Sequence, residues 1–307
     1  MQRAYINTLS QLMEEDKNVI AILADSGTDY DKMLMSSYPL QYINIGIAEQ
    51  NAVGIAAGLA IGGKIPFVFT NAAILAYRAN EFIRNDVCLQ NTNVKMIGMG
   101  SGLSISELGP THHTTEDISA LRAIPNLMLL SPASPLELSQ MMQFAREYNG
   151  PIYIRMGMGG EPELFSEDDT FSPSHQPVLA NGTDGCLFTT GSIAAEARKA
   201  LSLLKEMGYD LKLIHIPVLK PFCKEAFLAE TASFHRIISL EEHNIHGGLG
   251  SILSEIIAEE GLPLRLKRLG LSDCFAKGYG TLRELRKQNH LDAASIAADI
   301  KEFLDNE

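Results

Sequence analysis

The chain has 307 residues, of which 46% are hydrophobic and 20% charged, and 37 acidic against 25 basic residues give a formal net charge of −12. This composition predicts a globular protein of two domains and excludes a disordered chain. The acidic excess argues against binding of nucleic acid or of anionic membranes through overall charge.

Short apolar runs alternate with segments of helical period, which is typical of an α/β protein with a parallel sheet. Strands are predicted at 19–24, 66–69, 94–97, 127–130 and 152–154, and helices over residues 1–15, 49–62, 78–89, 116–123 and 135–148. A second alternation predicts strands at 185–188, 211–216, 236–240 and 264–269, with a helix at 193–207. We expect a first domain at 1–160, a linker at 161–180 that contains three prolines and the acidic run 167–169, and a second domain at 181–307.

The cysteines and the apolar runs bear on location in the cell. The four cysteines are widely scattered and form no Cys-x-x-Cys pair, which is typical of free thiols in a reducing compartment. The start of the chain lacks the apolar core of a signal peptide, and no apolar run approaches the ~20 residues that span a bilayer. We therefore expect a cytoplasmic protein.

One carboxylate stands alone in an apolar segment of small residues. Glu49 is the only charged residue between Asn44 and Gly63. If it is buried without a partner it favours the protonated form and can carry a proton, a property that often marks a functional site. Alternatively, Glu49 is an ordinary acid in a first helical turn, where the helix dipole stabilises it. The residues alone leave both interpretations open.

A glycine- and histidine-rich loop follows the strand at 94–97. A dinucleotide-binding loop needs a glycine at position 103, where Leu103 stands, so a flexible substrate loop is favoured. His112 and His113 stand just before a helix, where imidazole can contact a ligand or transfer protons near neutral pH. Adjacent histidines seldom bind one ion, and we therefore predict no metal site here.

Three further features lie near strand ends. Thr115 is predicted to cap the next helix, with Glu116 and Asp117 in its first turn. Arg155 ends a strand, where an arginine of an open α/β sheet often faces a ligand. The segment 241–251 is interpreted either as a glycine-rich turn from strand to helix or as an interface, and both interpretations stay open.

Several motifs, taken in order, resemble the transketolase family over nearly the whole chain. They are Ile-Ala-Glu-Gln-Asn at 47–51 with the small residues of 54–60, Gly-Pro-Thr-His at 109–112, Glu-Asp at 116–117, the stretch 122–125, and Glu-Glu-His-Asn at 241–244 with Gly-Gly-Leu-Gly at 247–250. The resemblance is to the C-terminal half, or to the small subunit of a split transketolase. It implies a doubly wound parallel-sheet domain of the pyrimidine type that binds thiamine diphosphate, and a smaller α/β transketolase C-terminal domain.

The resemblance assigns roles at the cofactor. Glu49 would hydrogen-bond the aminopyrimidine ring and favour the imino tautomer, which removes the thiazolium proton and so starts catalysis. Asp25 matches a family aspartate close to the cofactor. The remaining predicted cofactor-binding residues are Ile47, Ile74, Tyr77 and Arg78.

The resemblance also assigns roles at the substrate. His112 would be the second catalytic residue and would contact the transferred two-carbon unit. His113 is predicted to bind substrate beside it. Arg155 would hold an anionic group of the substrate as a bidentate donor.

Departures from the family pattern indicate a missing partner. The family's Gly-Asp-Gly…Asn motif is absent, so the diphosphate and Mg²⁺ are expected on an N-terminal transketolase subunit in an α2β2 assembly, with no metal site in this chain. Leu108 replaces an aspartate that reads a sugar hydroxyl, Gly100 replaces a phosphate-holding histidine, and the stretch 71–77 lacks stacking phenylalanines. These changes point away from an ordinary pentose phosphate as substrate.

The expected activity is therefore a transferase that moves a two-carbon ketol unit from a ketose to an aldose and works only with its partner. Sugars or sugar phosphates would be its substrates. One alternative keeps the cofactor in a deoxyxylulose-phosphate-synthase-like enzyme, whose phosphate-contacting arginine Arg78 resembles, or in a two-oxo-acid dehydrogenase β-like subunit. The other alternative is a scaffold subunit without catalysis.

Overall fold

The computed structural model describes residues 1–24 and 29–306, with the backbone alone at 29–31. Twelve strands are found in this part of the chain. They are β1 (Val19–Leu23), β2 (Tyr42–Asn44), β3 (Ile65–Asn71), β4 (Lys95–Met99), β5 (Met128–Leu130), β6 (Ile152–Met156), β7 (Val178–Ala180), β8 (Gly185–Thr190), β9 (Leu211–His215), β10 (Val218–Lys220), β11 (Arg236–Asn244) and β12 (Arg265–Leu271).

The first sheet has seven strands in the order β10-β5-β6-β4-β3-β1-β2. Six of them are parallel, and β10 pairs antiparallel with β5 at one edge. All five residues are buried in each of β1, β4 and β6, because helices or the second domain cover both faces of the sheet. Their sequences therefore appear as continuous apolar runs.

The second sheet has five strands in the order β12-β11-β8-β9-β7. The first four are parallel and β7 pairs antiparallel with β9. The expected α/β architecture of two largely parallel sheets is confirmed. Strand β10 is the exception to the order of the chain, since it follows the second sheet's β9 yet completes the first sheet.

Twelve α-helices accompany the sheets in the described residues. They are α1 (Gln2–Glu15), α2 (Asp29–Ser37), α3 (Glu49–Ile61), α4 (Ala72–Arg78), α5 (Asn80–Phe82), α6 (Asp117–Arg122), α7 (Pro135–Glu147), α8 (Ala194–Glu206), α9 (Lys224–Thr231), α10 (Leu249–Glu259), α11 (Leu282–Gln288) and α12 (Ala293–Asp305). A π-helical turn, Ile83–Cys88, follows α5.

A single hydrophobic core joins the two sheets. Val68 and Tyr153 of the first sheet belong to the same buried cluster as Phe188 and Leu253 of the second half. Helices α1 and α7 cover the opposite face of the first sheet, and α8 and α12 cover the outer face of the second. Apolar burial between the sheets therefore fixes one half of the chain against the other.

Two predictions of local structure need correction. The helix predicted at 78–89 is found over 80–88 as the short α5 and the π-helical turn, but a separate helix, α4, precedes it and ends at Arg78. Asn71 accounts for the earlier start, because its side chain accepts hydrogen bonds from the N–H groups of Ala73 and Ile74 and caps α4. Thr115 does not cap the next helix, which begins at Asp117 with no side-chain cap.

Candidate active site

The predicted site residues lie at the carboxyl ends of adjacent strands of the first sheet. Strand β2 leads to Glu49, β3 leads to Arg78, β4 leads to His112, and β6 carries Arg155 near its own end. The chain leaves β1 towards β2 on one side, whereas β3 and β4 lie on the other side. Ligands of open α/β sheets bind in the crevice at such a switch point. Asp25 directly follows β1 in sequence and falls outside the described residues.

Glu49 begins α3 and is buried, with 2% of its surface exposed. Its Oε2 accepts a hydrogen bond from Nη1 of Arg78 at 2.7 Å, and 44% of the Arg78 side chain is exposed. Glu49 therefore has a cationic partner, and it also stands in the first turn of α3, as one of the two interpretations predicted. Within the described residues no hydrogen bond reaches Oε1 of Glu49, so one oxygen is left to accept from a ligand.

The other predicted cofactor-binding residues within the described part of the chain lie on the same two segments as this ion pair. Ile47 stands two residues before Glu49 and is 75% exposed, and Ile74 is half-buried on α4. Tyr77 donates its Oη proton to Glu116 Oε2 at 2.8 Å and accepts from the Glu116 N–H at 3.0 Å. Partial burial, with the charges of Asp117 and Glu116, raises the pKa of Tyr77, which keeps the phenol neutral. The end of α4 is thereby fixed to the segment after the histidine loop.

The two histidines differ in environment. His112 is half-buried, and its Nδ1 lies 2.9 Å from the Thr111 hydroxyl, whereas no hydrogen bond from the described part of the chain reaches Nε2. His113 is 3% exposed, and no hydrogen bond of ordinary geometry reaches either ring nitrogen within the described residues. Burial lowers the pKa of His113, which favours the neutral ring. The structure thus presents His112 and encloses His113.

Arg155 is more enclosed than its position at a strand end suggested. Its side chain is 3% exposed, and its Nε donates to both carboxylate oxygens of Asp117 at 3.0 and 2.9 Å. Its Nη2 donates to the carbonyls of Thr114 and Glu242. Asp117 stands in the first turn of α6, as predicted, but its carboxylate turns inward to Arg155 and accepts a hydrogen bond from the Tyr153 hydroxyl. The apolar run that contains Tyr153 and Arg155 was the available signal, since a charge buried there needs an acid.

The segment 241–251 forms a turn from β11 into α10, which confirms that interpretation. Glu241 accepts hydrogen bonds from the N–H groups of Leu249 and Gly250 at 2.8 and 2.9 Å, at the start of α10. Complete burial raises the pKa of Glu241 to about 7. Burial lowers the pKa of His243 to about 4, and the His243 Nδ1 lies 3.5 Å from Glu241 Oε2. Glu242 points the other way, towards the histidine loop.

The described residues form neither a membrane span nor a metal cluster. No helix in that part of the chain is both long and apolar enough to traverse a bilayer. No group of three or more His, Cys, Asp or Glu side chains there is arranged to hold a metal ion.

Comparison with known protein families agrees with this geometry. The family model described as the transketolase pyrimidine binding domain matches residues 1–159, and the one described as the transketolase C-terminal domain matches 175–296. The chain belongs to the transketolase family. This confirms the resemblance of the motifs and the expected fold of both halves.

Two relatives of similar length carry the names of parts of transketolases. The chain is 39% identical over 280 residues to a subunit of the apulose-4-phosphate transketolase of Actinobacillus succinogenes, which covers 91% of this chain and 90% of that protein. It is 34% identical over 310 residues to a "Putative transketolase C-terminal section" of Methanocaldococcus jannaschii, covering 100% of this chain and 97% of that protein.

Solved structures agree with this placement in the family. A structure described as "Split gene transketolase, inactive beta4 tetramer" matches with a TM-score of 0.89 and 32% identity over 99% of this chain and 97% of that chain. A transketolase of Pichia stipitis matches with a TM-score of 0.80 over 98% of this chain but only 45% of its own, at 19% identity, and shows the shared fold alone. The structures related to this chain thus include a split-gene transketolase chain of similar length and a transketolase chain about twice as long.

Proposed function

We propose that this chain is the C-terminal subunit of a two-chain, thiamine-diphosphate-dependent transketolase that transfers a two-carbon ketol unit from a ketose to an aldose. One observation carries the proposal: a buried carboxylate, Glu49, has one oxygen that accepts no hydrogen bond from the described residues, at the switch point of a sheet whose sequence matches the pyrimidine-binding domain. The relatives named as apulose-4-phosphate transketolase subunits support the two-chain form. A transferase activity follows from the same relatives.

The residues around Glu49 fit the aminopyrimidine part of thiamine diphosphate. Oε1 of Glu49 can accept a hydrogen bond from a ring nitrogen and hold the shared proton, while Arg78 occupies Oε2 and fixes the carboxylate plane. The exposed Ile47 and half-buried Ile74 supply apolar surface for the ring and exclude water from the proton. When bound, the cofactor supplies the carbon nucleophile and the electron sink for ketol transfer.

The residues of the loop act on the substrate side. Nε2 of His112 has no hydrogen-bond partner among the described residues and can donate to or accept from a substrate hydroxyl, because Thr111 engages only Nδ1. His113 lies behind it as a buried, neutral ring. Among the three guanidinium nitrogens of Arg155, Nη1 alone makes no hydrogen bond to the described residues. The predicted anionic group of the substrate would therefore be held through that single nitrogen.

A partner subunit completes the proposed enzyme. We place the diphosphate and Mg²⁺ on an N-terminal transketolase subunit, in an α2β2 assembly, since this chain carries no Gly-Asp-Gly…Asn motif. A β4 tetramer named inactive among the related structures supports the need for a second kind of chain. We also propose a location in the cytoplasm, which the four unpaired cysteines support.

We further propose that the chain divides at residues 161–180 into domains 1–160 and 181–307. The family matches, which end at 159 and begin again at 175, support this division of the sequence. Strand β10 shows that the division does not apply to the sheets, since Val218–Lys220 pairs with β5.

A synthase is the second candidate, favoured by one observation. The chain is 34% identical over 305 residues to the 1-deoxy-D-xylulose-5-phosphate synthase of Syntrophotalea carbinolica, but it spans only 47% of that enzyme. Arg78 would contact a substrate phosphate in that case. In the structure Arg78 is committed to Glu49, which supports the transketolase proposal instead.

The test is reconstitution with the partner subunit that carries the Gly-Asp-Gly…Asn motif. Thiamine-diphosphate binding is measured by titration, and turnover is measured on a panel of ketose donors and aldose acceptors. The Glu49→Gln variant keeps the shape of the side chain but cannot carry the proton, and we expect kcat to fall roughly 10²–10⁴-fold, the usual contribution of a positioned acid or base. Glu81→Gln, an exposed glutamate on the neighbouring α5, is the matched control.

Three results would contradict the proposal. Normal turnover by the Glu49→Gln pair would remove Glu49 from catalysis. A wild-type pair that binds no cofactor would favour the scaffold alternative. Condensation of pyruvate with an aldose phosphate, without ketol transfer, would favour the synthase.

A further inference from the structure

The loop that carries His112 closes on a two-residue neck. Gly102 and Thr114 form an isolated antiparallel bridge, in which each N–H donates to the other's carbonyl at 2.9 and 2.8 Å. Residues 103–113 lie between these two strand-like positions. The N–H of His112 also donates to the Gly109 carbonyl at 2.9 Å, so the second limb turns tightly before it reaches the neck. The orientation of the neck therefore sets where His112 stands.

A carboxylate from the second half of the chain binds this neck. Glu242 on β11 is 2% exposed, and its Oε1 accepts a hydrogen bond from the N–H of Leu103 at 2.9 Å. Gly102 has a φ of +62°, and a Cβ there would lie 2.4 Å from Oε1 of Glu242. A glycine is therefore required at 102 both for its backbone conformation and for the approach of the carboxylate.

Two arginines donate hydrogen bonds to Glu242, one to its carboxylate and one to its backbone carbonyl. Nε of Arg286, on α11, donates to Oε2 of Glu242 at 2.5 Å, and Arg286 is 8% exposed. Arg155 of the first sheet donates from one nitrogen, Nη2, to the carbonyls of Thr114 and Glu242. Without Arg286, the Glu242 carboxylate would be a buried charge without this cationic partner at Oε2, which is strongly unfavourable.

We propose that Glu242 and Arg286 are positioning residues for the His112 loop, so that the second half of the chain sets the substrate side of the active site. They touch neither cofactor nor substrate. Their effect passes through the N–H of Leu103 and the Gly102–Thr114 bridge. The importance of the loop for turnover rests on the proposed function, whereas the mechanical link between Arg286 and the loop does not.

The first measurement is therefore independent of activity. Hydrogen–deuterium exchange of residues 103–113 is compared in the wild-type chain, Arg286→Met and Arg283→Met. Arg283 is an exposed arginine on the same helix with no partner in the described residues, and is thus the matched control. In Arg286→Met we expect loop exchange to rise about tenfold or more, the ratio that corresponds to loss of one charged hydrogen bond, with strands β4 and β11 unchanged.

Conservative variants separate positioning from a general loss of stability. Arg286→Lys keeps the charge but loses the fork, and should restore part of the loop protection. Glu242→Gln keeps an acceptor for Leu103 and should loosen the loop less than Glu242→Ala. If Arg286→Met does not fold, loop exchange is compared in the wild type, Arg286→Lys and Glu242→Gln. We expect faster loop exchange in both variants than in the wild type, and equal exchange in all three would overturn the proposal.

The second measurement uses the reconstituted pair. In Arg286→Met we expect a raised KM for the ketose or a lowered kcat, with thiamine-diphosphate affinity unchanged because the Glu49 pocket lies on other elements. Unchanged loop exchange in Arg286→Met, equal to that of Arg283→Met, refutes the inference whatever the activity. Loosened loops in a pair that has no ketol transfer would leave the link intact and refute the proposed function instead.

Discussion

The ion pair between Asp117 and Arg155 yields the strongest prediction about stability. Both side chains are buried, at 0% and 3% exposed, and the Asp117 carboxylate also accepts from the Tyr153 hydroxyl at 2.9 Å. Asp117→Asn keeps the shape but leaves the Arg155 guanidinium buried without that counter-ion. Removing one member of a buried pair costs about 3–5 kcal/mol, and neither solvent nor salt screens this site. This is a large share of the ~5–15 kcal/mol that holds a typical protein folded.

The assay is urea unfolding followed by far-UV circular dichroism, with wild type, Asp117→Asn and the control Asp168→Asn. Asp168 is exposed in the segment between the family domains and has no partner in the described residues, so its replacement should change stability by less than about 0.5 kcal/mol. A loss below about 1 kcal/mol in Asp117→Asn, at an unchanged denaturant slope, would refute the reasoning that Arg155 depends on this carboxylate.

Two further variants are informative. Burial raises the pKa of Glu241 from 4.5 to about 7, so its contribution to stability is full below pH 4.5 and is lost as the pH rises to about 7. Burial lowers the pKa of His243 from 6.5 to about 4, so its contribution to stability is full above pH 6.5 and is lost as the pH falls to about 4. Each effect is worth about 3 kcal/mol, and the two cancel in the wild type, whose unfolding free energy should change little between about pH 7 and pH 4. Glu241→Gln keeps only the His243 effect and should lose about 3 kcal/mol over the same fall in pH. Parallel curves of unfolding free energy against pH for the two proteins would contradict this. Gly98→Ala places a Cβ 2.5 Å from the Tyr153 hydroxyl and should cost about 1–3 kcal/mol in the same assay, and an unchanged urea midpoint would show that the strands can move apart.

The fold was largely predictable because its strands are buried on both faces. The runs at 19–24 and 152–154 are continuous and apolar, and they became β1 and β6 with small changes at the ends. Strands β2, β7 and β10 were missed, because each has three residues and so gives little periodicity. Strand β5 is equally short but was predicted, because it lies in the continuous apolar run at 127–130.

The site was predictable in its members more than in their contacts. Glu49 and Arg78 were both chosen from the sequence, but their pairing joins α3 to α4 across 29 positions and follows from the strand order. Arg155 was predicted to face a ligand, and its carboxylate partner Asp117 was assigned to a helix end. Burial of a charge forces such partners, yet sequence spacing does not show which acid will serve. Glu242 was predicted only as part of a segment that forms either a turn or an interface, and its hydrogen bond to the loop depends on the packing of the two halves.

Strand β10 interlocks the halves of the molecule. Residues 218–220 leave the second half to pair with β5, and Lys220 donates to the carbonyl of Arg122 at the end of α6. Proteolytic nicking between the family domains would therefore yield two fragments that stay together until denatured. Expressed alone, the segment 1–160 would leave the outer edge of β5 without its partner strand, and these unpaired backbone groups would favour pairing with other chains and aggregation.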